Sequence, residues 1–485
     1  MLKHTKIIAT ISDKCCEPDF IRSLYEAGMN VVRMNTAHLN DDGLDKIVRN
    51  IRAVSNRISI LIDTKGPEIR TTRVKEPISF KKGEQVKIQG NPEKETSHDC
   101  IYVSYTDIAK DMTVGDDLLI DDGEFELKVI EKQTDYLVCE VQNDGTLSGN
   151  KSLNVPGVQI NLPSLSERDR KNIDWAITHQ LDFIAHSFVR NKQDILDIQR
   201  ILNEQNSQIK IIAKIENQEG IDNIDEILEV VYGIMIARGD LGIEVPAERI
   251  PGIQRMLILK CEEARKPVIV ATQMLHTMIS NPRPTRAEVT DIANAVHDRA
   301  DALMLSGETA YGKYPVEAVQ TMTNVIREAE STKQTDRYYR RPVEVKDLDT
   351  TSFLAKQAVK SSSKLNVKAI ITDSHSGRTA LFLASFRGDA TIFAICYNEQ
   401  VMRLLSLSYG VWAVHQPWND DRRTYFYDAL NQLLQSGLIV PEDKVAYLGG
   451  IFGEGGGTTL LEINEVNRML NMRKEYLLPT FEKHL

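Results

Sequence analysis

Residues 210–240 read KIIAKIENQEGIDNIDEILEVVYGIMIARGD, and the alternation inside this stretch decides the fold. Two short, almost continuously apolar runs, Lys210–Lys214 and Gly233–Ala237, bracket a helical stretch. A strand that is apolar along its length buries both faces, which implies a parallel sheet covered on its outside by helices. The same unit recurs outward in both directions. Lys6–Ile11, Asn30–Met34, Ser59–Asp63 and Asp182–Ala185 precede it, and Pro267–Ala271 and Ala302–Leu305 follow, which makes eight runs. Helix signals lie between them, such as Ser166-Glu167-Arg168-Asp169 opening Ile173–Ile177, where the serine suits an N-cap. Eight units fit a (β/α)8 barrel of the TIM type, whose active site sits where the strands end. A doubly wound open sheet is the competing arrangement.

Two segments break the repeat. From about Thr71 to Asn161 the chain has short alternating runs such as Glu84-Gln85-Val86-Lys87-Ile88 and Glu124-Phe125-Glu126-Leu127-Lys128-Val129, with turn signals at Asp122-Gly123 and Asp144-Gly145. This predicts an all-β domain inserted at the active-site end of the barrel, placed to act as a lid. After a polar, linker-like stretch, Ser331–Arg341, strands are expected at Lys368–Thr372, Thr391–Cys396, Gly410–Val414 and Lys444–Leu448, separated by helices such as Thr379–Phe386 and Glu399–Ser408. The expected division is 1–70 with 162–340 as the barrel, 71–161 as the lid, and 341–485 as a C-terminal α/β domain.

Length and composition agree with this reading. A chain of 485 residues suggests about three domains, and 42% hydrophobic with 26% charged residues is ordinary for a folded, soluble protein. No apolar run reaches the roughly 18 residues that span a bilayer, and the start leads into a strand rather than a signal peptide. Six cysteines without metal-ligand spacing, Cys15-Cys16 among them, read as plain thiols of a cytoplasmic protein. A net charge of −10 argues against nucleic acid as a partner, so any anion site must concentrate positive charge locally.

The strand ends do that. They carry Arg33-Met34-Asn35, Asp63-Thr64-Lys65-Gly66-Pro67-Glu68-Ile69-Arg70, His186-Ser187-Phe188-Val189-Arg190, Lys214-Ile215-Glu216, Ala237-Arg238-Gly239-Asp240, Thr272-Gln273-Met274 and Ser306-Gly307-Glu308-Thr309. Lys214 and Glu216 are two apart on a strand and point the same way. Glu216 and Asp240, on neighbouring strands, can hold Mg²⁺, which commonly takes one or two carboxylates plus substrate oxygens. Arg33, Lys65, Arg70 and Lys214 supply positive charge for an anionic substrate. Phosphoryl transfer asks mainly for such positioning and neutralisation. No P-loop and no kinase-type glycine-rich loop is present.

At these residues the chain resembles the pyruvate kinases, over the barrel, the insertion and, more loosely, the C-terminal domain. Met34-Asn35, Asp63–Arg70, Lys214–Asn217, Ala237–Gly242, Ala271–Leu275 and Met304–Ala310 carry the resemblance. It implies transfer of the phosphoryl group of phosphoenolpyruvate to ADP, giving pyruvate and ATP, in a homotetramer without nucleic-acid or membrane partners. Glu216 and Asp240 would hold Mg²⁺, Lys214 would stabilise the phosphoryl group in flight, and Arg33 would contact the phosphate. Main-chain amides of Ala237, Arg238 and Gly239 would meet the substrate carboxylate. Thr272, with a water network near Ser306 and Glu308, would help protonate the enolate. Arg70, Lys151 and His38 would lie on the nucleotide side, although Asn150 replaces a second lysine common in the family. As acid–base groups, His38 and His186 lack a partner carboxylate and read as hydrogen-bonding residues, and Trp175 reads as core.

For K⁺ the family usually has Asn-Phe-Ser-His, whereas here the sequence is Asn35-Thr36-Ala37-His38. Ala37 offers no side-chain oxygen. Asn35, Asp63 and the Thr64 carbonyl remain, Thr36 or water could substitute, and Glu68 matches K⁺-dependent members, so K⁺ activation is expected. In the C-terminal domain Ser374, Ser376, Gly377, Arg378 and Thr379 at a helix start suit a phosphate, where the resemblance implies an allosteric effector. Phe452–Thr458 could close over it, and Glu454 would repel a second phosphate, favouring a singly phosphorylated effector. Two other classes stay open at this point. One is a Mg²⁺-dependent lyase or aldolase acting on a pyruvate enolate, and the other a non-catalytic effector-binding protein.

Overall fold

In the computed structural model the run at 210 is a strand, Lys210–Ile215, buried at every residue after the first, and Gly233–Ala237 beside it is buried throughout. Burial on both faces is what the continuous apolar runs required. With Lys6–Thr10, Val31–Asn35, Ser59–Asp63, Phe183–His186, Val268–Ala271 and Ala302–Leu305 these strands close into a parallel barrel. We number the eight β1 to β8 in chain order. Each pairs with its chain neighbours, and β8 returns to β1 with Ala302 opposite Lys6. The structure describes residues 2–36, 39–333, 349–417, 422–450 and 457–476.

Inward residues such as Ile8, Leu61, Phe183, Met235 and Ile269 fill the lumen, while the opposite faces pack beneath the outer helices. Helix Glu167–Thr178 begins where Ser166 was expected to cap it. The Ser166 hydroxyl accepts from the Asp169 amide at 3.1 Å, and the Asp169 carboxylate accepts from the Ser166 amide at 3.1 Å. Trp175 is half-buried at the edge of the core, not inside it. Its indole nitrogen donates to Asp45 at 2.9 Å, because an indole N–H needs a partner.

Between β3 and β4 the chain builds a seven-stranded sheet over its own core, which includes Phe80, Ile88, Leu127 and Val141. This sheet starts at Ile69–Arg70, which pairs antiparallel with Ser152–Asn154. Asp121, Asp122 and Gly123 all have left-handed backbone (φ 55°, 58° and 88°) and make the turn between Asp117–Ile120 and Phe125–Lys132. One short helix, Ile108–Asp111, interrupts the strands.

Helix Pro315–Lys333 runs through the start of the stretch read as a linker; Arg341-Pro342 lies outside the described residues. The C-terminal sheet has the four expected parallel strands, here Ala369–Ser374, Thr391–Cys396, Val411–His415 and Lys444–Gly449. A fifth, Leu460–Glu465, runs antiparallel to Lys444–Gly449. The sequence reading missed it, because its mixed, partly exposed residues lack the apolar continuity used to find the others. This domain seals the barrel floor, with Leu404 and Leu407 joining the lumen cluster. Arg403 donates to Asp182 at 2.6 Å, and Arg387 donates to both Asp301 oxygens at 2.7 Å. All six cysteines are free thiols, and among the described residues no helix is long and apolar enough to cross a membrane.

Candidate active site

Asp63 ends β3 and lies between β2 and β4, beside Asn35 and Ala185 in register. Its buried carboxylate receives the Arg33 guanidinium at 2.5 Å and lies 3.5 Å from the Lys214 ammonium. Lys214, near the end of β5, meets Glu216 Oε1 at 2.8 Å and donates to Ser187 Oγ at 2.9 Å. The two-residue spacing therefore does set ammonium and carboxylate side by side. Burial alone would raise the Asp63 carboxyl, but Arg33 and Lys214 hold it below its ordinary range. Burial likewise opposes charge on Lys214, yet Glu216, Asp63 and Asp240 keep it protonated well above the usual lysine range.

Burial pushes the Glu216 carboxyl up to about 7, and the charge of Asp240 adds to that against the pull of Lys214. Oε2 of Glu216 accepts from the Phe188 amide at 2.7 Å. Oε1 is buried and meets Lys214 as an ion pair without a hydrogen bond's alignment, and Asp63 Oδ1 is also buried without a hydrogen-bond partner. Buried carboxylate oxygens left in this state are matched by a cation. Asp240 sits in the first turn of helix Arg238–Glu244, after β6. Among the described residues no three or more His, Cys, Asp or Glu converge as a ready-made cage. Two carboxylates fit Mg²⁺, which takes its other ligands from substrate and water.

On the far side of the mouth, Thr272 and Gln273 follow β7 with left-handed backbone (φ 70° and 54°), a conformation that strains a β-branched residue. The Thr272 hydroxyl accepts from the Gly239 amide at 2.8 Å and donates to the Ala271 carbonyl at 2.6 Å. The Arg238 side chain turns away from the mouth. It donates to the Thr272 carbonyl at 2.8 Å and pairs with Asp291 at 2.8 Å, so only its main chain faces the site with Ala237 and Gly239. Glu308 is buried and anchors two amides, Ser306 at 2.8 Å and Leu275 at 3.1 Å.

Arg70, where the inserted sheet begins, pairs with Glu68 at 2.7 Å and donates to the Asn150 carbonyl at 2.7 Å. Lys151 pairs at 2.5 Å with Asp121, within the insertion. The Thr64 carbonyl accepts from Ser187 Oγ at 2.8 Å, and the Thr36 hydroxyl donates to the Asp63 carbonyl at 2.7 Å. Asn35 ends β2 beside Asp63. Ala37 and His38 lie outside the described residues. His186 is buried, pushed down to about 4 by burial, and shares a 2.9 Å hydrogen bond with Thr64 Oγ1, so it is neutral at physiological pH. Ser187, the Phe188 amide and Asp291 were not given roles in the sequence reading. A hydroxyl bridge, a left-handed phenylalanine (φ 55°) and a partner on a distant helix leave no local signal.

In the C-terminal domain, helix Arg378–Ser385 starts at Gly377 (φ 85°), whose amide donates to Ser374 Oγ at 2.8 Å. Thr379 and Thr458 share a 2.8 Å hydroxyl contact. Arg378 pairs with Asp349 at 2.9 Å, and Ser376 is exposed. Residues 451–456, with Glu454, lie outside the described residues.

The family model for the pyruvate kinase barrel domain matches residues 2–319, and that for the pyruvate kinase alpha/beta domain matches 352–464. A pyruvate kinase of Borreliella burgdorferi is 44% identical over 475 residues, covering 97% of this chain and 99% of that one. One from Bacillus licheniformis is 42% identical over 475 residues, covering 95% of this chain and 80% of that one. The crystal structure of a pyruvate kinase from Cryptosporidium parvum superposes with a TM-score of 0.89 at 36% identity and covers 96% of each chain. The lyase and non-catalytic readings fall with these matches: the chain belongs to the pyruvate kinase family, phosphotransferases that pass the phosphoryl group of phosphoenolpyruvate to ADP.

Proposed function

We propose that the cluster of Arg33, Asp63, Lys214 and Glu216 is where phosphoryl transfer takes place. The supporting observation is the Lys214 ammonium, buried and held charged among carboxylates at the barrel mouth. Arg33 takes the phosphate of phosphoenolpyruvate, and Lys214 faces the charge that develops as the phosphoryl group leaves. Asp63 fixes both cations. Glu216 and Asp240 hold Mg²⁺, which when bound neutralises the phosphate and carboxylate oxygens. The main chain at Ala237, Arg238 and Gly239 receives the substrate carboxylate, where the Gly239 amide exchanges the Thr272 hydroxyl for substrate. Thr272, with water near Ser306 and Glu308, delivers the proton that turns the enolate into pyruvate.

The inserted domain serves as a lid over the nucleotide, with Arg70 and Lys151 on the phosphates and His38 beside them; Lys151 leaves Asp121 to do so. We divide the chain functionally into barrel (1–70 and 162–340), lid (71–161) and effector domain (341–485), in a cytoplasmic homotetramer. The effector is singly phosphorylated and binds at Ser374, Ser376, Gly377, Arg378 and Thr379. Asn35, Asp63 and the Thr64 carbonyl form a K⁺ site that works without an oxygen from residue 37. The test is pyruvate formation from phosphoenolpyruvate and ADP with Mg²⁺, in K⁺ or in a bulky inert cation. Activity that needs K⁺ is the expected result; equal rates in both remove the K⁺ site.

A further inference from the structure

Every nitrogen of the Arg190 guanidinium is engaged. Nε and one terminal nitrogen donate to the two Asp194 carboxylate oxygens at 3.1 and 3.0 Å. The terminal nitrogens also donate to the main-chain carbonyls of Ile160 and Leu162, each at 2.9 Å. Asp194 is buried in the first turn of helix Lys192–Glu204, so the fork is rooted in the barrel framework. Ile160 and Leu162 lie on the stretch by which the chain returns from the lid. Their side chains pack against the lid's core while their carbonyls are held from the barrel. The Arg190 side chain thus ties the lid's return segment to the barrel at two alternate positions, 160 and 162, beside the Asn154 side-chain amide that donates to Glu244 at 3.1 Å.

The other end of the same loop reaches the reacting centre. Two residues before Arg190, the left-handed Phe188 gives its amide to Glu216 Oε2 at 2.7 Å. The Arg190 carbonyl accepts from Asn223 at 3.0 Å, which pins the loop between these contacts. A cavity of about 390 Å³, lined by Phe188, Arg190, Ile160, Leu162 and Glu244 among others, lies beside these contacts between the return segment and the barrel wall. Once the tether is cut, that space allows the segment to shift.

We propose that Arg190 is a positioning residue for phosphoryl transfer, the fixed pivot that sets the lid at the correct distance from the Glu216 carboxylate. A planar guanidinium can hold two carbonyls and a carboxylate at once, which a lysine's point charge cannot. The proposal rests on the reading that the lid closes over the nucleotide. Displacing a positioning group by about an ångström costs up to about a hundredfold in rate even when the chemistry itself is untouched.

The test compares two reactions in Arg190→Ala and Arg190→Lys. One is steady-state transfer from phosphoenolpyruvate to ADP. The other is exchange of pyruvate methyl protons in D₂O with Mg²⁺ and inorganic phosphate but no nucleotide, which needs the barrel site and not the lid. Arg190→Ala is expected to lower kcat/KM for ADP about ten- to a hundredfold while proton exchange stays within about twofold, with Arg190→Lys intermediate. ADP use unchanged in both variants overturns the pivot, as does an equal loss in both reactions. Should Arg190→Ala fail to fold, Arg190→Lys alone decides by the same comparison. Lys151→Met, run in parallel, separates the two levels. If it loses ADP use while the Arg190 variants do not, only the pivot is wrong; if neither affects ADP use, the lid's place over the nucleotide falls as well.

Discussion

Lys214 stands against Glu216 at 2.8 Å and Asp63 at 3.5 Å, with Asp240 acting on it from the helix that follows the next strand. An ammonium so placed is charged at any physiological pH and is already oriented, so the proposed transfer needs little reorganisation as phosphoryl charge develops. Lys214→Met should lower kcat by about 10³ or more, because it removes that cation and leaves the geometry around it. Mg²⁺ binding, followed by Mn²⁺ competition, should persist, since Glu216 and Asp240 remain. Activity within tenfold of the wild type would remove Lys214 from its assigned role. His186 shows the opposite case, a group at the mouth that burial keeps neutral and that Thr64 engages structurally.

At the scale of elements, helix starts and strained turns place these side chains. Asp169 closes the capping box of Glu167–Thr178 with one oxygen and accepts from the Lys65 amide at 2.7 Å with the other. It therefore ties a barrel helix to the segment that leaves for the inserted sheet. Ser166→Ala should cost about 1 kcal/mol, the usual value for a lost N-cap. Asp169→Ala should cost more, ~2 kcal/mol, because the Lys65 amide loses its partner too. Hydrogen exchange across 167–178 would read both, and equal protection in the two variants would show that the Lys65 contact carries no weight. The consecutive left-handed residues Thr272 and Gln273 are held by Arg238 on the Thr272 carbonyl and by Gly239 on its hydroxyl. Strain of this kind persists only where the surroundings fix it.

Over the whole molecule, the C-terminal domain closes the end of the barrel opposite the active site. Leu404 and Leu407 pack into the same lumen cluster as Ala271 and Met304, so the C-terminal domain and the strand that leads to Thr272 share one continuous core. At this junction Lys6 is buried and donates to the Val411 carbonyl at 2.6 Å, and burial lowers it from 10.5 to about 8. Between about pH 8 and 10.5 the unfolded chain binds this proton and the folded one does not, so stability rises with pH in that window. Below pH 8 the lysine is charged in both states and contributes no slope. Thermal unfolding of wild type and Lys6→Met should therefore show the wild type gaining on the variant by up to ~3 kcal/mol across the window. A constant difference would mean that Lys6 titrates normally.

Much of this was legible in the residues themselves. The eight apolar runs determined a parallel, doubly covered sheet, because a strand with no polar face cannot lie at a surface. The two-residue step from Lys214 to Glu216 determined that an ammonium and a carboxylate would share one side, because side chains alternate along a strand. Other features were decided only in three dimensions. The partner that fixes the Arg238 side chain, Asp291, lies 53 positions further along the chain, beyond any spacing argument. Nothing local marks Arg190, since its partners Ile160 and Leu162 offer only main-chain carbonyls, which look the same at every residue. The fifth strand of the C-terminal sheet takes its structure from Lys444–Gly449 rather than from its own pattern. Periodicity and spacing record what a segment does with its own neighbours in sequence. Contacts to backbone and across domains depend on the closure of the chain, and only the tertiary structure holds that.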